Sequence, residues 1–339
     1  MNAKSEVTRT EYIIGICHIY KIKLIFLLTI SRYCSPHGVL ELVKLLLGKV
    51  KVLIAFKNGS QIELSREEIF TRFWFFFDKL TIDIRLKKME TKMSLNVHKG
   101  NGSKLLQFEY LNRNIQFPYN SEDDLLTILM ALDVTFIQGK WKMIECKDNI
   151  IIDIGGNVGD TAIFFALNGA KKVITIEPFP SLFKILRDTV NLQKSDSILC
   201  LNNTFQGFVE GYSFKVNGNI SYPYFGSYFS AQDLKENDNF IRGEKLDIND
   251  LLNYGGIYND LILKISCAGC EYYLLNLSTA YLRHFKQIIV EYNYGYKSLC
   301  NKLKDSGFLV THSKPVGTFG RSLKNHNVFL GMIIANRQN

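Results

Sequence analysis

An acid, a glycine-rich turn and a second acid stand close together in the middle of this chain. Asp153 lies in the apolar run Ile150–Ile154, and a turn directly follows this run. The turn contains three glycines, Gly155, Gly156 and Gly159. Glycine allows a positive φ and lets the backbone approach a ligand closely. Glu177 lies 18 residues beyond Gly159, after the next apolar run, where a carboxylate can accept hydrogen bonds from ribose hydroxyls. The pattern predicts a nucleoside site.

The charges around the turn indicate which nucleoside. The spacing G-G-x-x-G differs from the G-x-G-x-x-G of dinucleotide folds, and Asp153 and Asp160 flank it. Carboxylates at this position would repel a pyrophosphate but suit a cationic, amine-bearing ligand. S-adenosylmethionine carries a sulfonium, an ammonium and a ribose diol, so we expect it as cofactor. A strand-to-helix turn without a ligand stays open as the alternative.

Strands and helices alternate strictly from about Asp148. Apolar runs at Lys172–Ile176, Leu261–Ile265 and Gln287–Tyr292 are separated by helical patterns. Such alternation predicts a doubly wound, mainly parallel α/β sheet covered on both faces. The runs Phe308–His312 and Val328–Ala335 leave no room for a helix between them, which favours an antiparallel pair at one edge. We expect this domain over residues 121–339.

Residues 1–120 are predicted to form a smaller α+β region. Strands Val50–Phe56 and Gln61–Leu64 flank a turn, and Ser65 with Glu68 matches a capping box ahead of an aromatic helix. Residues 1–100 contain 17 Lys and Arg against 9 Asp and Glu. A solvated basic surface is the favoured interpretation, peripheral contact with a membrane surface stays open, and binding to nucleic acid is not expected.

Length and composition exclude several protein classes. The 339 residues fit about two domains, and 47% hydrophobic with 22% charged residues excludes wholesale disorder. Seven cysteines argue against a disulfide-stapled secreted domain, so a cytoplasmic protein with reduced thiols is expected. Cys267-x-x-Cys270 has no second pair for zinc, and we predict no metal site. We interpret this pair as small core thiols, with a redox pair as the alternative.

Three segments together resemble a known family. They are Asp153–Thr161, Ile176–Pro180 and Leu263–Tyr272, and they resemble the FkbM-type methyltransferases, particularly archaeal members. The resemblance covers roughly the C-terminal two-thirds of the chain. It implies a class I, Rossmann-like, seven-stranded S-adenosylmethionine-dependent fold and O-methyltransferase activity. It also implies that the turn surrounds the methionine part of the cofactor and that Glu177 holds the ribose. The complete predicted cofactor-binding set is Asp153, Gly155, Gly156, Asn157, Gly159, Asp160, Glu177, Pro178, Asn202 and Ser266.

Methylation of a hydroxyl also calls for a base within reach of the acceptor. Glu291 ends the fifth strand at the rim of the predicted site and is our first choice as the catalytic residue. The other titratable candidates are Glu271, His284, His312 and His326. Ser266 and Ala268 stand where the family carries acids, and Lys140 lies in a segment that is normally acidic.

Three functional hypotheses follow. The first is an O-methyltransferase acting on a glycan, a lipid or a small molecule. The second is a catalytically impaired relative that binds the cofactor or a partner, as Ser266, Ala268 and Lys140 suggest. The third is an RNA methyltransferase that uses the basic N-terminal third, for which binding should depend steeply on salt.

Overall fold

A computed structural model gives the three-dimensional structure. It describes residues 7–15, 17, 28, 31–32, 34–47, 49–57, 59, 61–65, 82–99, 104–205, 213–215, 228–229, 240–241, 244–256, 259–267, 269–318 and 328–338. The predicted capping box and aromatic helix after Ser65 lie outside these residues, apart from Ser65 itself. Ala268 and His326 also lie outside them.

The N-terminal region begins with a helix and a hairpin. Helix α1 (Pro36–Leu46) begins after Ser35, whose side chain accepts a hydrogen bond from the Gly38 amide, and proline suits its first position. Strands β1 (Lys51–Ala55) and β2 (Gln61–Ser65) pair antiparallel, as the sequence predicts.

A three-stranded antiparallel sheet follows helix α2 (Ile82–Met93). Its strands are β3 (Asn96–Lys99), β4 (Lys104–Tyr110) and β5 (Arg113–Tyr119), in that order. Leu111 and Asn112 join β4 to β5 with φ values of 50° and 57°, as a tight hairpin turn requires. Helix α3 (Glu122–Leu132) then runs into one turn of π-helix, Asp133–Ile137.

The second half of the chain alternates strands and helices. The first part consists of β6 (Ile150–Ile154), α4 (Asp160–Leu167), β7 (Lys172–Ile176), α5 (Pro180–Leu192) and β8 (Ile198–Leu201). Short strands follow at β9 (Asn203–Phe205), β10 (Ser213–Lys215), β11 (Tyr228–Phe229), β12 (Phe240–Ile241) and β13 (Glu244–Leu246), and then helix α6 (Ile248–Gly255). The last part consists of β14 (Leu261–Ile265), a 3₁₀ helix (Cys270–Asn276), α7 (Thr279–Leu282), β15 (Phe285–Tyr292), α8 (Lys297–Asp305), β16 (Phe308–His312), β17 (Val316–Thr318) and β18 (Val328–Arg337).

The main sheet has the strand order β16-β18-β15-β14-β6-β7-β8, with β17 pairing beside it on β18. All neighbours from β8 to β15 are parallel, and β18 is antiparallel to both β15 and β16. Every residue of β6 and β14 is buried, as expected for central strands covered on both faces. The predicted doubly wound, mainly parallel α/β sheet of seven strands, including the antiparallel pair at one edge, is confirmed.

The two sheets share one hydrophobic core. Leu106 and Phe117 of the small sheet belong to the same buried cluster as Ile151 and Val173 of the main sheet. This core continues across residue 120, the predicted domain boundary, which itself stays a prediction. A crevice is expected at the carboxyl ends of β6 and β14, because the chain leaves β6 in one direction and returns on its other side.

The described part of the chain contains neither a candidate membrane-spanning helix nor a candidate metal-binding cluster. Its helices include none with the length and apolarity that crossing a bilayer requires. Its His, Cys, Asp and Glu side chains form no group of three that could hold a metal ion.

Candidate functional site

The glycine turn is shaped by what lies directly against it. Gly155 has φ 85°, and a Cβ atom there would lie 2.1 Å from the Ser266 carbonyl oxygen. A Cβ atom on Gly156 would lie 2.2 Å from Thr175 Oγ1. Both amides donate to the Ile176 carbonyl, at 3.0 and 2.9 Å. These two glycines therefore let the turn pack between the ends of β7 and β14.

The far end of the turn begins helix α4. Gly159 precedes the helix with φ 93°, and Asn157 has φ 49°. Positive φ is readily available to glycine and is tolerated by asparagine, so the sequence suits this backbone path. The helix begins at Asp160, whose negative charge is favourable at a helix N-terminus.

Glu177 is held rigidly at the tip of β7. Its Oε2 accepts from the Asn157 amide at 2.8 Å and its Oε1 from the Phe179 amide at 3.0 Å. Burial raises the pKa of Glu177 to about 7, against the opposing effect of these two N–H groups. Each carboxylate oxygen has lone pairs beyond the one already used, so the side chain can still accept hydrogen bonds from a ligand.

Asp160 has a spare buried acceptor. Its Oδ2 accepts a hydrogen bond from Thr135, which lies in the π-helix turn. Its Oδ1 is buried and has no hydrogen-bond partner among the residues that the structure describes. Burial raises the pKa of Asp160 to about 6, although the Thr135 hydroxyl and the Lys264 charge favour the ionised form. A buried acceptor without a partner is costly, and a donor from a ligand would remove that cost.

Asp153 lies beneath the turn. Its carboxylate is fully buried, 2.6 Å from Lys264 Nζ, and accepts hydrogen bonds from Thr161 and Thr175 at 2.6 and 3.2 Å. Lys264 Nζ also donates to the Gly155 carbonyl at 2.9 Å. Asp153 thus stabilises the turn through Lys264. Its direct contact with a cationic ligand stays a prediction, and the observed partners favour an indirect role.

Glu291 lies at the rim, where the end of β15 meets the end of β14. Its Oε1 is 2.6 Å from Lys140 Nζ, and its Oε2 accepts from Ser266 Oγ at 2.5 Å. Burial alone would raise the pKa of Glu291, but Lys140, Ser266 and Lys264 outweigh it and hold the pKa below its usual range. A carboxylate stabilised in this way is a weaker base than the sequence-based hypothesis requires.

The ring of Trp141 lies close to both Lys264, in the interior, and Lys140, at the rim. Its buried ring lies 5.0 Å from Lys264 Nζ and 4.8 Å from Lys140 Nζ, within cation–π range. No role was predicted from the sequence for Trp141, Lys264 or Thr135. A lysine inside the apolar strand Leu261–Ile265 was the available signal, because a buried lysine requires a partner.

The other predicted residues lie at both ends of the sheet. Asn202 Nδ2 donates to the carbonyls of Glu177 and Pro178 at 2.8 and 3.3 Å, joining the ends of β7 and β8. His284 lies at the opposite end of the sheet, where its carbonyl accepts from the first residue of β14. His312 stacks on Tyr296.

The cysteine pair differs from our expectation. We interpreted Cys267 and Cys270 as separate core thiols, and the structure joins them in a disulfide. The sequence spacing allowed this, and the turn at Gly269, with φ 119°, brings the two Cα atoms to 5.7 Å.

The sequence matches no protein-family model and no curated protein. Among solved structures, the chain is similar to a SAM-dependent methyltransferase from Agrobacterium tumefaciens, with 7% identity, 71% of this chain and 72% of that chain covered, and TM-score 0.38. It is also similar to M. jannaschii TYW2 in complex with AdoMet (10% identity, 73% and 88% covered, TM-score 0.33). A third is magnesium protoporphyrin IX methyltransferase from Synechocystis PCC 6803 with bound SAM (14% identity, 63% and 83% covered, TM-score 0.35). At these identities and TM-scores the likenesses carry no conclusion about activity, so function must be argued from the residues of this chain.

Proposed function

We propose that the protein is a methyltransferase that uses S-adenosylmethionine. The observation that carries the proposal is Glu177, a buried carboxylate fixed beside the glycine turn with acceptor capacity to spare. The unpartnered Oδ1 of Asp160 supports it, because a ligand ammonium could satisfy this buried oxygen. Both acceptors lie near the crevice end of the sheet and favour a ligand with a diol and a positive charge.

The turn and the neighbouring strand ends would each bind a different part of the cofactor. Glu177 would hold the ribose hydroxyls, Asp160 and the backbone of Gly155–Gly159 the amino-acid part, and Asn202 with Pro178 the edge beside the base. When bound, the cofactor supplies a methyl group activated by a positively charged sulfur. Asp153 and Lys264 keep the turn in place from below.

For the acceptor, we propose a hydroxyl on a glycan, a lipid or a small molecule, in line with the resemblance to FkbM-type enzymes. Glu291 is the side chain that we propose to take the hydroxyl proton. It can do so only if Lys140 moves away, because the ion pair stabilises the unprotonated carboxylate and weakens it as a base.

Calorimetry with S-adenosylmethionine and with its demethylated product tests the cofactor assignment. Glu177→Ala should weaken binding by about 10- to 100-fold, because hydrogen bonds to a charged group are lost. Glu109→Ala, an exposed change on the small sheet, is the matched control and should leave affinity unchanged. Equal affinity of the Glu177→Ala variant and the wild type would overturn the proposal.

A second candidate function is supported by the rim. With Lys140 and Ser266 both bound to Glu291, the protein could bind the cofactor with little turnover. Restoring acids with Ser266→Asp and Ala268→Glu together would then increase methyl transfer to a glycan or lipid acceptor. If the wild type is already active and the double change lowers its rate, this second candidate fails.

A further inference from the structure

The two cysteines of the disulfide differ in their exposure to solvent. Cys267 follows the end of β14 by two residues and is half-buried, whereas Cys270 begins the 3₁₀ helix and is 2% exposed. A reagent from solution can therefore approach the Cys267 sulfur, while the Cys270 sulfur is screened. This asymmetry between an attackable and a protected sulfur is what thiol–disulfide exchange uses.

Five other cysteines are described, and all are free. Burial raises the pKa of Cys34 and Cys300 to about 11 and that of Cys146 and Cys200 to about 12, and such high thiol pKa values make these four unreactive at neutral pH. The fifth, Cys17, is exposed but is not joined to a second cysteine. Among the described cysteines, reversible two-electron exchange is therefore expected at the bonded pair.

Glu271 is a buried acid beside this pair and has no role in the proposed methyl transfer. It is fully buried, and its Oε2 lies 3.8 Å from Cys267 Sγ and accepts from the Gly269 amide at 2.7 Å. Its Oε1 accepts from the backbone and side-chain nitrogens of Asn293 at 3.0 and 2.9 Å. Burial raises the pKa of Glu271 to about 8, so the group carries a proton at neutral pH.

We propose that Cys267 and Cys270 are a redox-active pair that undergoes exchange with an external dithiol, and that Glu271 is the group that delivers a proton to the Cys267 sulfur. The proposal stands apart from methyl transfer. It rests on the bonded pair, the unequal exposure of its two sulfurs and the buried carboxyl within reach of one of them.

The exchange transfers two electrons from the external dithiol to the cysteine pair. One thiolate of the dithiol attacks Cys267 Sγ, the Cys267–Cys270 bond breaks, and Cys270 leaves as a thiolate that takes the proton of the dithiol's second thiol group. The second thiolate of the reductant then attacks its own sulfur in the mixed disulfide, and Cys267 leaves and is protonated by Glu271. The dithiol departs as a disulfide, having supplied two electrons, and water reprotonates Glu271.

Thiol counting on the full chain tests the pair. Protein is equilibrated with graded ratios of reduced to oxidised dithiothreitol, quenched with acid and labelled with N-ethylmaleimide, and intact mass is measured. We expect two labels, beyond the constant number on the free cysteines, to appear together and reversibly while circular dichroism remains native, and Cys200→Ser should keep this step. If the Cys267 and Cys270 thiols stay free at every ratio, or are released only in denaturant, the proposal is overturned.

Two variants test the individual roles. In the Cys270→Ser variant, oxidised glutathione should form a mixed disulfide with Cys267 and release one reduced glutathione, an adduct seen by peptide mass; the absence of this adduct would contradict Cys267 as the accessible, exchanging sulfur. Glu271→Gln, which keeps the size of the side chain, should slow reduction by dithiothreitol at pH 7 by about tenfold or more. An unchanged rate in a folded variant would exclude proton delivery by Glu271.

Discussion

Two lysine–carboxylate pairs in this molecule have the same length and different surroundings. Lys264–Asp153 and Lys140–Glu291 both measure 2.6 Å from nitrogen to oxygen. The side chains of the first pair are 1% and 0% exposed, and those of the second are 22% and 26% exposed. The distance within an ion pair therefore does not set its energetic role. Burial sets that role, because a charge removed from water must find all its partners inside the protein.

The partners of each pair show this difference. Asp153 Oδ2 accepts from two threonine hydroxyls, whereas its buried Oδ1 has the ion-pair contact with Lys264 and no hydrogen bond from the described residues. Lys264 also donates to the Gly155 carbonyl. At the rim, Glu291 has the Ser266 hydroxyl and partial access to solvent. The interior pair therefore fixes the turn, whereas the rim pair can open at modest cost, as the proposed role of Glu291 requires.

The largest expected effect comes from breaking the interior pair. Lys264→Met leaves the Asp153 carboxylate buried without its cation and should lower the free energy of unfolding by about 3–5 kcal/mol. Urea denaturation measures this. A loss no greater than that of the rim variant Lys140→Met would show that burial does not separate the two pairs.

Removing both charges of the interior pair should be less damaging than removing one. In the double variant Asp153→Asn with Lys264→Met no uncompensated charge remains, so we expect recovery of about 1–3 kcal/mol relative to Lys264→Met alone. The same urea experiment gives the answer. A double variant as unstable as the sum of its single changes would mean that the two side chains act independently.

Glu177 extends the comparison to a buried carboxylate held by backbone N–H groups. Its pKa in the folded protein, about 7, lies above the ordinary value of 4.5, so the folded state binds this proton more tightly. Stability should therefore fall as pH rises from about 4.5 to 7, by about 1–3 kcal/mol. Glu177→Gln should lack this part of the decline. Identical slopes of urea midpoint against pH for variant and wild type would contradict the assignment.

The smallest effect is expected at the rim. Lys140→Met should change the free energy of unfolding by less than about 1 kcal/mol, because the pair is partly exposed and screened by salt. The difference between variant and wild type should shrink further when ionic strength is raised. A loss of several kcal/mol would place Lys140 with the interior pair.

The mainly parallel sheet and the glycine turn could be predicted from the sequence because both depend on local signals. Apolar runs alternating with helical patterns predict a parallel sheet, and three glycines between a strand and a helix predict a turn with positive φ. The hairpin Lys51–Ala55 with Gln61–Ser65 and the edge pair of β16 with β18 follow from the same short-range patterns.

The local sequence alone specified which residues end the strands and that Glu177 would lie beside the glycine turn. How the charges at these strand ends are paired follows from the tertiary structure. Lys264 and Asp153 lie 111 positions apart in the chain, and Lys140 and Glu291 lie 151 apart. No local sequence pattern identifies such partners, because sheet pairing brings together residues that are far apart in the chain. Burial then sets the energy of each charge.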